Sequence, residues 1–528
     1  MSAHSLSSPL SRAACEALDA QDPLSSARER FALPQGVIYL DGNSLGALPR
    51  AVPPRLARAV DAEWGEGLIR SWNDADWYPA PQRVGGQIAR LVGAEPDEVI
   101  VADSTSINLF KVLVAALRLR PGRRLILGEN ANFPTDAYIG AGVAELMQAE
   151  WLAVDSASVL ETLERRGAEV AIVSLTHVNY KSGRVYDMAA ITRKAHEVGA
   201  LVVWDLCHTA GAMPCGLNAC EADFAVGCGY KYLNGGPGAP AFVYVARRHQ
   251  EAVRQPLTGW HGHARPFAFG QDYAPAPGID RMLVGTASQL GLIALEAALT
   301  AFEGVDLQQL RAKSVSLTET FIRLVDQELA EFGFGLATPR SAIERGSQVS
   351  LTHEQGYAIV QALIARGVIG DFRAPDILRF GFAALYISHA DVWDAVASWH
   401  ERYVNERISA GAAFGMLMNV HSSDTLKSWA EKLARQHRPQ DPLALPAFMA
   451  PRPAESVQPP AANGVEARGQ SEASPQAPQS VEDHPLYRKL ECVKCHSKIS
   501  YAEGKFCWNN PRRFGGLQFC RAHQAEAV

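Results

Sequence analysis

The segment ALVVWDL at residues 200–206 has the composition of a buried β-strand, and a carboxylate, Asp205, lies near its end. Amphipathic segments of helical period, such as 187–198, lie between several runs of the same kind. Short β-branched strands that alternate with helices predict an α/β fold with a mostly parallel sheet covered by helices on both faces. The other runs are EVIVAD (98–103), RRLILGE (123–129), EVAIVSLTHV (169–178), FAVGCG (224–229) and AFVYVA (241–246).

Further along the chain, the pattern changes and indicates a second, smaller unit. Two long helical patterns, 288–304 and 315–333, precede QVSLTH and ILRFGFA, which are strand candidates of a small α+β domain. Residues 447–484 are rich in Pro, Ala, Ser, Gln and Glu, and therefore predict a disordered linker. We divide the chain into an N-terminal segment (1–30), a large domain (31–300), a small α+β domain (301–405) that includes part of the N-terminal segment, a helical extension (406–446), the linker (447–484) and a cysteine-containing module (485–528).

The composition of the 528 residues is that of an ordinary soluble protein, with 47% hydrophobic and 20% charged residues. The net charge of -6 gives no electrostatic reason to expect that the main body binds nucleic acid. No run reaches the roughly 18 uncharged apolar residues that a membrane span needs. The first residues lack the apolar stretch of a secretory signal, so we expect a cytoplasmic protein.

Two of the predicted strands are followed by residues that can carry chemistry. Asp205 comes at the end of ALVVWDL with His208 shortly after it, and Lys231 lies in the glycine-rich segment GCGYKYLNGGPG (227–238). Ligands of open α/β sheets bind beyond the carboxyl ends of the strands. Each residue alone also has a plain structural interpretation, Asp205 as a helix cap or ion-pair partner and Lys231 as a surface lysine.

Taken together, Asp205 and Lys231 indicate one cofactor, pyridoxal phosphate (PLP). This cofactor needs a lysine for a Schiff base with its aldehyde, and an acid that keeps its pyridinium nitrogen protonated. The hydroxyl-rich segment STSIN (104–108) follows a predicted strand and opens an apolar helical run, which is a natural phosphate site. The aromatic ring of Phe133 in NFPTDAY can cover the cofactor ring.

Eight motifs make a family resemblance specific. Their order and spacing across residues 30–405 resemble the kynureninases, which are fold-type-I PLP enzymes. That family hydrolyses a carbon–carbon bond of L-kynurenine to give anthranilate and L-alanine, a step of the kynurenine pathway of tryptophan degradation that also leads to NAD biosynthesis. The motifs are DGNSLGALP (41–49), WGEGLIRSW (64–72), DSTSINLFK (103–111), NFPTDAY (132–138), WDLCHTAGA (204–212), GYKYLNGGPGAP (229–240), GWHGH (259–263) and LRFGFAALY (378–386).

The resemblance assigns roles to individual residues. It implies that Lys231 forms the Schiff base and moves the substrate Cα proton, that Tyr230 is an acid/base at Cγ, and that Asp205 pairs with the pyridinium nitrogen. The implied cofactor contacts are Thr105, Ser106, Phe133, Pro134, Thr135, Asp136, Thr176, Asp205, His208, Tyr230, Lys231, Trp260 and Thr286. The implied substrate contacts are Asn43, Ser44, Trp64 and Arg379, with Arg379 binding the substrate carboxylate.

Three positions bear on assembly and specificity. Trp260 and Thr286 resemble residues that reach the phosphate from a second subunit, which implies a homodimer. Trp64 and Thr286 match the bacterial pattern, so we expect a preference for L-kynurenine over 3-hydroxykynurenine. His261 departs from the family, in which Phe is common at this position.

A second reading of the same fold is a lyase similar to the cysteine desulfurases. Those relatives usually carry His directly before the Schiff-base lysine and a cysteine on a mobile loop. In this chain Tyr230 precedes Lys231, which favours the kynureninase reading.

The C-terminal module has its own pattern of cysteines. Cys492 and Cys495 form a CxxC, and Cys520 and His523 form a CxxH, which together predict a tetrahedral zinc site. The module resembles small zinc ribbons, and the alternative is a tail with incidental cysteines. Its interleaved basic and aromatic residues permit docking to an unknown protein or nucleic-acid partner, while a solvated surface around a structural zinc is the simpler interpretation.

Overall fold

The computed structural model describes residues 9–406, with side chains through residue 399. The strands are β1 (Ile38–Tyr39), β2 (Val99–Val101), β3 (Leu125–Glu129), β4 (Glu150–Val154), β5 (Val170–Thr176), β6 (Leu201–Asp205), β7 (Phe224–Gly227), β8 (Phe242–Val245), β9 (Gly335–Leu336), β10 (Gln348–Thr352), β11 (Val368–Ile369), β12 (Asp371–Arg373) and β13 (Ile377–Gly381). The helices are α1 (Arg12–Ala20), α2 (Val52–Arg58), α3 (Ser71–Asp74), α4 (Ala80–Val92), α5 (Thr105–Leu119), α6 (Pro134–Leu146), α7 (Val159–Arg166), α8 (Met188–Glu197), α9 (Arg247–Gln250), α10 (Gln289–Leu299), α11 (Leu307–Glu328), α12 (Gly356–Ile364) and α13 (His389–Glu406).

Three of the predicted segments lie outside the described residues. These are the helical extension, the linker and the zinc module, with its proposed ligands Cys492, Cys495, Cys520 and His523. Within residues 9–406, none of the helices is both long and apolar enough to cross a membrane.

The segment ALVVWDL becomes β6, the central strand of a seven-stranded sheet with the order β2-β8-β7-β6-β5-β3-β4. The five strands from β7 to β4 run parallel, and β8 runs antiparallel to its neighbours β7 and β2. The prediction of a mostly parallel sheet is confirmed. Because Asp205 of β6 lies opposite Val226 of β7, the segments that follow these two strands leave the sheet side by side.

Alternate side chains of the strands pack on opposite faces of this sheet, as the two-residue period of a strand requires. Trp204 of β6 packs in one cluster of buried side chains with Ile88 of α4. Its neighbour Val203 packs in a second cluster with Leu113 of α5. Helices therefore cover both faces of the sheet, as the strand composition predicts.

The second unit is built on a four-stranded antiparallel sheet with the order β12-β13-β10-β9. The predicted strands QVSLTH and ILRFGFA are observed as β10 and β13, which pair with each other. The short strand β1 pairs with β11 in parallel and brings the segment around residue 41 to this unit. The exact domain boundaries that we assign stay a prediction.

Two elements differ from the expectation at residue level. Helix α11 begins at Leu307, before the predicted start at 315, because the Asp306 carboxylate caps it and accepts from the backbone N–H of Gln308 (2.7 Å) and Gln309 (3.0 Å). The edge strand β4 was not predicted. Its burial is only partial, so its sequence carries no strong apolar pattern.

A buried carboxylate joins several elements at the end of the sheet opposite to the carboxyl end of β6. The side chain of Asp223 is 1% exposed and accepts from the Val202 N–H (2.8 Å), His196 Nε2 (2.8 Å), His249 Nε2 (2.7 Å) and Arg248 Nη2 (2.7 Å). Burial alone would raise the pKa of Asp223, but the hydrogen bonds from the two histidines outweigh it and hold the pKa below its usual range.

We expect Asp223→Asn to lower the free energy of unfolding by about 3 kcal/mol at pH 7, because the amide leaves buried donors and cations without their anion. The folded-state pKa of Asp223 is depressed, so its contribution is complete above the unfolded pKa of about 3.9 and decreases as the pH falls below that value. Urea unfolding followed by tryptophan fluorescence, at pH 7 and at pH 3, measures both effects.

The matched control is Asp97→Asn, which removes one partner of the exposed ion pair with Arg247. That variant should lose at most about 1 kcal/mol. Equal urea midpoints for Asp223→Asn and the unmodified protein would contradict the assignment of Asp223 as a stabilising anchor.

Candidate active site

A cavity of about 150 Å³ lies beyond the carboxyl ends of β5 and β6. A larger cavity of about 590 Å³, near Arg28 and Arg50, contains none of the predicted site residues. The smaller cavity collects most of the predicted cofactor contacts from five separate stretches of sequence. Its lining residues are Thr105, Ser106, Asn132, Phe133, Thr135, Asp136, Thr176, Tyr180, Asp205, Cys207, His208, Tyr230 and Lys231.

The loop that carries Lys231 passes close to other backbone segments, and this accounts for its glycines. A Cβ on Gly229 would lie 2.4 Å from the carbonyl oxygen of Pro240. On the facing segment, the Gly46 N–H donates to the Tyr230 carbonyl at 2.8 Å, and a Cβ on Gly46 would lie 2.3 Å from the Lys231 carbonyl oxygen. Glycine at these positions allows the close approach that fixes the lysine.

The Lys231 amine contacts a histidine that is held neutral. Lys231 Nζ lies 3.0 Å from His208 Nε2. Burial, together with the positive charge of Lys231, lowers the pKa of His208 well below its usual range. The neutral imidazole therefore accepts a hydrogen bond from the lysine through Nε2.

Two buried carboxylates face each other in the same cavity. Burial and the charge of Asp205 raise the pKa of Asp136 well above its usual range, so Asp136 holds a proton that it shares with Asp205. Asp205 Oδ1 accepts from the Cys207 N–H at 2.7 Å, and Asp136 Oδ2 accepts from Asn132 Nδ2 at 2.7 Å. The Asp205–Asp136 pair therefore carries one negative charge and one proton in the same cavity as the Lys231 amine.

The start of helix α5 also lines the cavity and offers hydrogen-bond donors for an anion. Helix α5 begins at Thr105, and its cap Ser104 accepts from the Ile107 N–H at 3.4 Å. The first turn of the helix directs N–H groups and the hydroxyls of Thr105 and Ser106 toward the cavity. Phe133, the residue before α6, is exposed, and its ring is perpendicular to that of Tyr180 at a centroid distance of 5.2 Å.

Arg379 lies at the edge of the site in the small antiparallel sheet. It donates through Nε to Asp371 Oδ1 at 2.8 Å, through Nη1 to the Tyr180 carbonyl at 2.7 Å and through Nη2 to Ser44 Oγ at 2.8 Å. Its Nη2 also pairs with Asp371 Oδ2. Nearby, Asn43 is buried and donates to Gln348 Oε1 at 3.1 Å. The predicted substrate residues Asn43, Ser44 and Arg379 thus lie outside the cavity lining, and Arg379 is connected to it by its hydrogen bond to the lining residue Tyr180.

Besides Asn43, Ser44 and Arg379, four predicted residues do not line the cavity of this chain. Pro134 is the first residue of α6, and Trp260 stacks on His261 at a centroid distance of 4.8 Å beside a different cavity. Thr286 is exposed, and Trp64 is exposed in the π-helical segment Ala59–Gly67. The contacts that we predict for Trp260 and Thr286 belong to a second subunit, so they stay predictions.

His261 is buried within its own aromatic surroundings. Neither of its ring nitrogens has a hydrogen-bond partner among the described residues. Its ring lies between Trp260 and Tyr78, with a centroid distance of 5.2 Å to Tyr78, and burial lowers its pKa. A neutral imidazole therefore fills the space that Phe occupies in many family members.

Sequence reasoning missed four residues that the structure brings to the site. Asn132 and Cys207 lie inside motifs that were recognised for other positions, and Tyr180 lies in SLTHVNY beside Thr176. Asp371 had no sequence signal, because its contact with Arg379 depends on the pairing of β12 with β13, in which the two residues are opposite each other.

The residues fit pyridoxal phosphate at each of its functional groups. The amine of Lys231 suits the aldehyde, the Asp205–Asp136 pair suits a protonated ring nitrogen, and the start of α5 suits the phosphate. A buried polar atom, His208 Nδ1, lacks a hydrogen-bond partner among residues 9–399. Such an atom at a cavity wall is consistent with a ligand-binding site.

Comparisons with known proteins identify the family of the chain. The family model described as the kynureninase C-terminal domain matches residues 310–398. A kynureninase of Burkholderia mallei is 51% identical over 387 residues, which cover 72% of this chain and 92% of that protein. A kynureninase of Pseudomonas fluorescens is 52% identical over 386 residues, with 72% of this chain and 93% of that protein covered.

Solved structures confirm the fold class at much lower sequence identity. A cysteine desulfurase from Thermococcus onnurineus superposes with a TM-score of 0.62 at 18% identity, covering 72% of this chain and 98% of that chain. A cysteine desulfurase from Escherichia coli gives 0.60 at 21% identity, with 72% and 98% covered. These similarities show only the fold-type-I architecture. The identity of 51% with a kynureninase, against 18% and 21% with the two cysteine desulfurases, favours the kynureninase interpretation over the desulfurase interpretation. The chain belongs to the kynureninase family.

Proposed function

We propose that this chain hydrolyses L-kynurenine to anthranilate and L-alanine with pyridoxal phosphate as its cofactor. The observation that carries the proposal is the position of Lys231 Nζ, 3.0 Å from a neutral His208, in a cavity that also holds the Asp205–Asp136 pair. Identity of 51% with kynureninases over most of the chain supports the substrate. The cysteine desulfurases share only the fold.

The cofactor, when bound, supplies an electron sink for negative charge at the substrate Cα. The residues of the chain supply the proton transfers. Lys231 is placed to take the proton from Cα, and the neutral His208 beside it can accept a hydrogen bond from the amine in either state. Asp136 keeps its proton beside Asp205, so Asp205 is the anion that would orient and neutralise a cationic ring nitrogen.

Tyr230 is suited to act first as a proton donor. Burial, and then the charges of the neighbouring thiols and Asp205, raise the pKa of Tyr230 above its usual range. The phenol therefore keeps its proton at neutral pH and can deliver it near Cγ when the Cβ–Cγ bond breaks. Its ring centroid lies 5.9 Å from Lys231 Nζ, so the two residues can serve adjacent atoms of one substrate.

The substrate carboxylate is assigned to Arg379. The guanidinium is buried, and Asp371 holds it from one side through Nε and Nη2. Nη1 donates to the carbonyl of Tyr180, which lines the cavity, and Nη2 also donates to Ser44 Oγ. Asp371 is thus a positioning residue for Arg379, because it fixes the plane of the fork that receives a carboxylate.

A homodimer and a preference for L-kynurenine are part of the same proposal. Large aromatic side chains are exposed on the described surface beside Trp260, among them Phe267 at 66% and Phe269 at 79%. Exposure of this kind is typical of an interface. The preference for L-kynurenine depends on Trp64 and Thr286, and we propose a cytoplasmic enzyme that acts in tryptophan degradation.

The C-terminal module is proposed to bind zinc on the sequence pattern alone. The ligands would be Cys492, Cys495, Cys520 and His523, in two pairs with the spacing of zinc knuckles. A segment this short needs a metal to fold independently. We propose that it is an accessory that tethers the enzyme to a partner.

The purified chain loaded with PLP should release anthranilate from L-kynurenine, which a fluorescence assay measures directly. Lys231→Ala should abolish turnover, and Tyr230→Phe should lower kcat by about 10²–10³-fold, the usual contribution of an acid/base group. Tyr230→Phe should also keep the visible absorbance of lysine-bound cofactor, whereas Lys231→Ala should lose it. A yellow, PLP-loaded protein that forms no anthranilate would refute the proposed substrate.

Asp371→Asn should raise the KM for L-kynurenine about tenfold, equivalent to about 1.4 kcal/mol, and leave kcat nearly unchanged. The reason is that Asp371 orients Arg379 without touching the reacting atoms. Steady-state kinetics separates the two constants, and Arg379→Lys is the companion variant, with a larger rise in KM. A lower KM in Asp371→Asn would show instead that Asp371 competes with the substrate for Arg379.

Metal analysis of the full chain should find zinc bound at one equivalent per chain. Cys492→Ser and Cys520→Ser should lower the zinc content strongly, because each removes a thiolate ligand. The matched control is Cys507→Ser, which lies in the same module outside the two pairs and should retain zinc. Equal zinc content in all four proteins, or none in the unmodified chain, would contradict the assignment.

A further inference from the structure

Two cysteines at the cavity lie next to each other on neighbouring strand ends. Cys207 and Cys228 follow the paired residues Asp205 and Val226 by two positions each. Parallel neighbours are separated by about 4.8 Å, which falls within the Cα separation of about 4.4–6.8 Å that a disulfide spans. The strand register therefore places the two cysteines at a distance that permits a covalent bond between them.

The two cysteines are in contact, and each thiol influences the pKa of the other. Cys228 Sγ also points at the Cys207 carbonyl oxygen, 3.9 Å away, and Cys207 Sγ lies 3.7 Å from Thr105 Oγ1 on the phosphate side of the site. Both cysteines are free in this structure.

Both cysteines are buried in the described part of the chain, and the pair borders the cavity through Cys207. Cys207 is 8% exposed and Cys228 is 3% exposed, and Cys207 forms part of the cavity wall. A molecule of the size of hydrogen peroxide fits a cavity of about 150 Å³, whereas a protein oxidant does not. A bound cofactor would cover this wall.

We propose that Cys207 and Cys228 form an oxidisable dithiol, which a small hydroperoxide converts to an intrachain disulfide when the cavity is free of cofactor, and that the disulfide prevents cofactor binding. The second half of this proposal rests on the proposed function of the cavity as the PLP site. The first half depends only on the two thiols.

The oxidation proceeds in two balanced steps. The Cys228 thiolate attacks one oxygen of hydrogen peroxide, the O–O bond breaks, and the sulfenic acid of Cys228 forms while hydroxide leaves and takes up the thiol proton as water. The Cys207 sulfur then attacks the Cys228 sulfur, the S–O bond breaks, and a second water leaves with the proton of Cys207. Two thiols and one peroxide thus give one disulfide and two waters.

The surroundings indicate which sulfur reacts first. Burial acts to raise the pKa of Cys228, but the hydrogen bond from Cys207 and the charge of Lys231 outweigh it, so the net pKa is lowered. The hydrogen bond to Cys228, followed by burial, raises the pKa of Cys207. Cys228 is therefore the better thiolate, and Cys207 is the resolving thiol.

A disulfide would disturb the site at two points. The Cys207 N–H donates to Asp205 Oδ1 at 2.7 Å, so movement of Cys207 toward Cys228 shifts the carboxylate assigned to the ring nitrogen. Cys228 also lies in the glycine-rich loop three residues before Lys231. Both ends of the cross-link are therefore coupled to residues that would hold the cofactor.

The test treats the full chain, with and without PLP, with hydrogen peroxide and maps the cysteines by mass spectrometry of peptides. Without PLP, a linked peptide that contains Cys207 and Cys228 should form, and rebinding of PLP, measured by its absorbance, should fall in proportion to the linked fraction. Dithiothreitol should restore both. PLP-loaded protein should form the link at least tenfold more slowly.

Two variants distinguish the effect of the Cys207–Cys228 disulfide from nonspecific oxidative damage to the protein. Cys207→Ala, which cannot form the disulfide, should rebind as much PLP after peroxide treatment as before it. Cys220→Ala, which alters the other cysteine pair of the large domain, should lose PLP rebinding to the same extent as the unmodified chain. A linked peptide without loss of PLP rebinding would overturn the effect on the cofactor site. Absence of the linked peptide would overturn the dithiol itself, and formation of the linked peptide at an equal rate with PLP bound would overturn the access of peroxide through the cavity. Neither result depends on turnover of kynurenine.

Discussion

The site depends on one electrostatic constraint, the placement of a half-buried lysine, a buried neutral imidazole and two buried carboxylates that share a proton around one small cavity. Burial of these groups is costly unless each charge finds a partner. His208 stays neutral beside Lys231, and Asp136 stays protonated beside Asp205. The site therefore offers one amine and one anion. These two groups suit a ligand that carries an aldehyde and a basic ring nitrogen.

The fold satisfies this constraint through the register of its central strands. Parallel pairing of β6 with β7 brings the segments that carry Asp205 and Lys231 together at one edge of the sheet. Glycines allow the backbone of the loop that carries Lys231 to contact the backbone of Pro240 and Gly46. The small antiparallel sheet then adds Arg379, which contacts the cavity residue Tyr180, so the proposed cofactor residues and the proposed carboxylate-binding residue come from two different sheets.

Much of this arrangement was predictable from sequence, since strands such as ALVVWDL have an unmistakable composition and the motifs preserve their spacing. The cavity contains ten of the predicted cofactor residues, from Thr105 to Lys231. What sequence could not provide depends on tertiary pairing. The contact of Asp371 with Arg379 depends on the pairing of β12 with β13. The contact between Cys207 and Cys228 depends on the pairing of β6 with β7. Helix α11 was predicted too short because its cap, Asp306, precedes a polar first turn.

The most direct test of the central claim is to identify the lysine that carries the cofactor. The PLP-loaded chain is reduced with borohydride, digested, and the peptide that bears the pyridoxyl group is sequenced by mass spectrometry. The pyridoxyl group should be found on Lys231 in nearly all of the labelled peptide. Labelling mainly at another lysine, such as Lys181 or the buried Lys111, would show that Lys231 does not carry the cofactor.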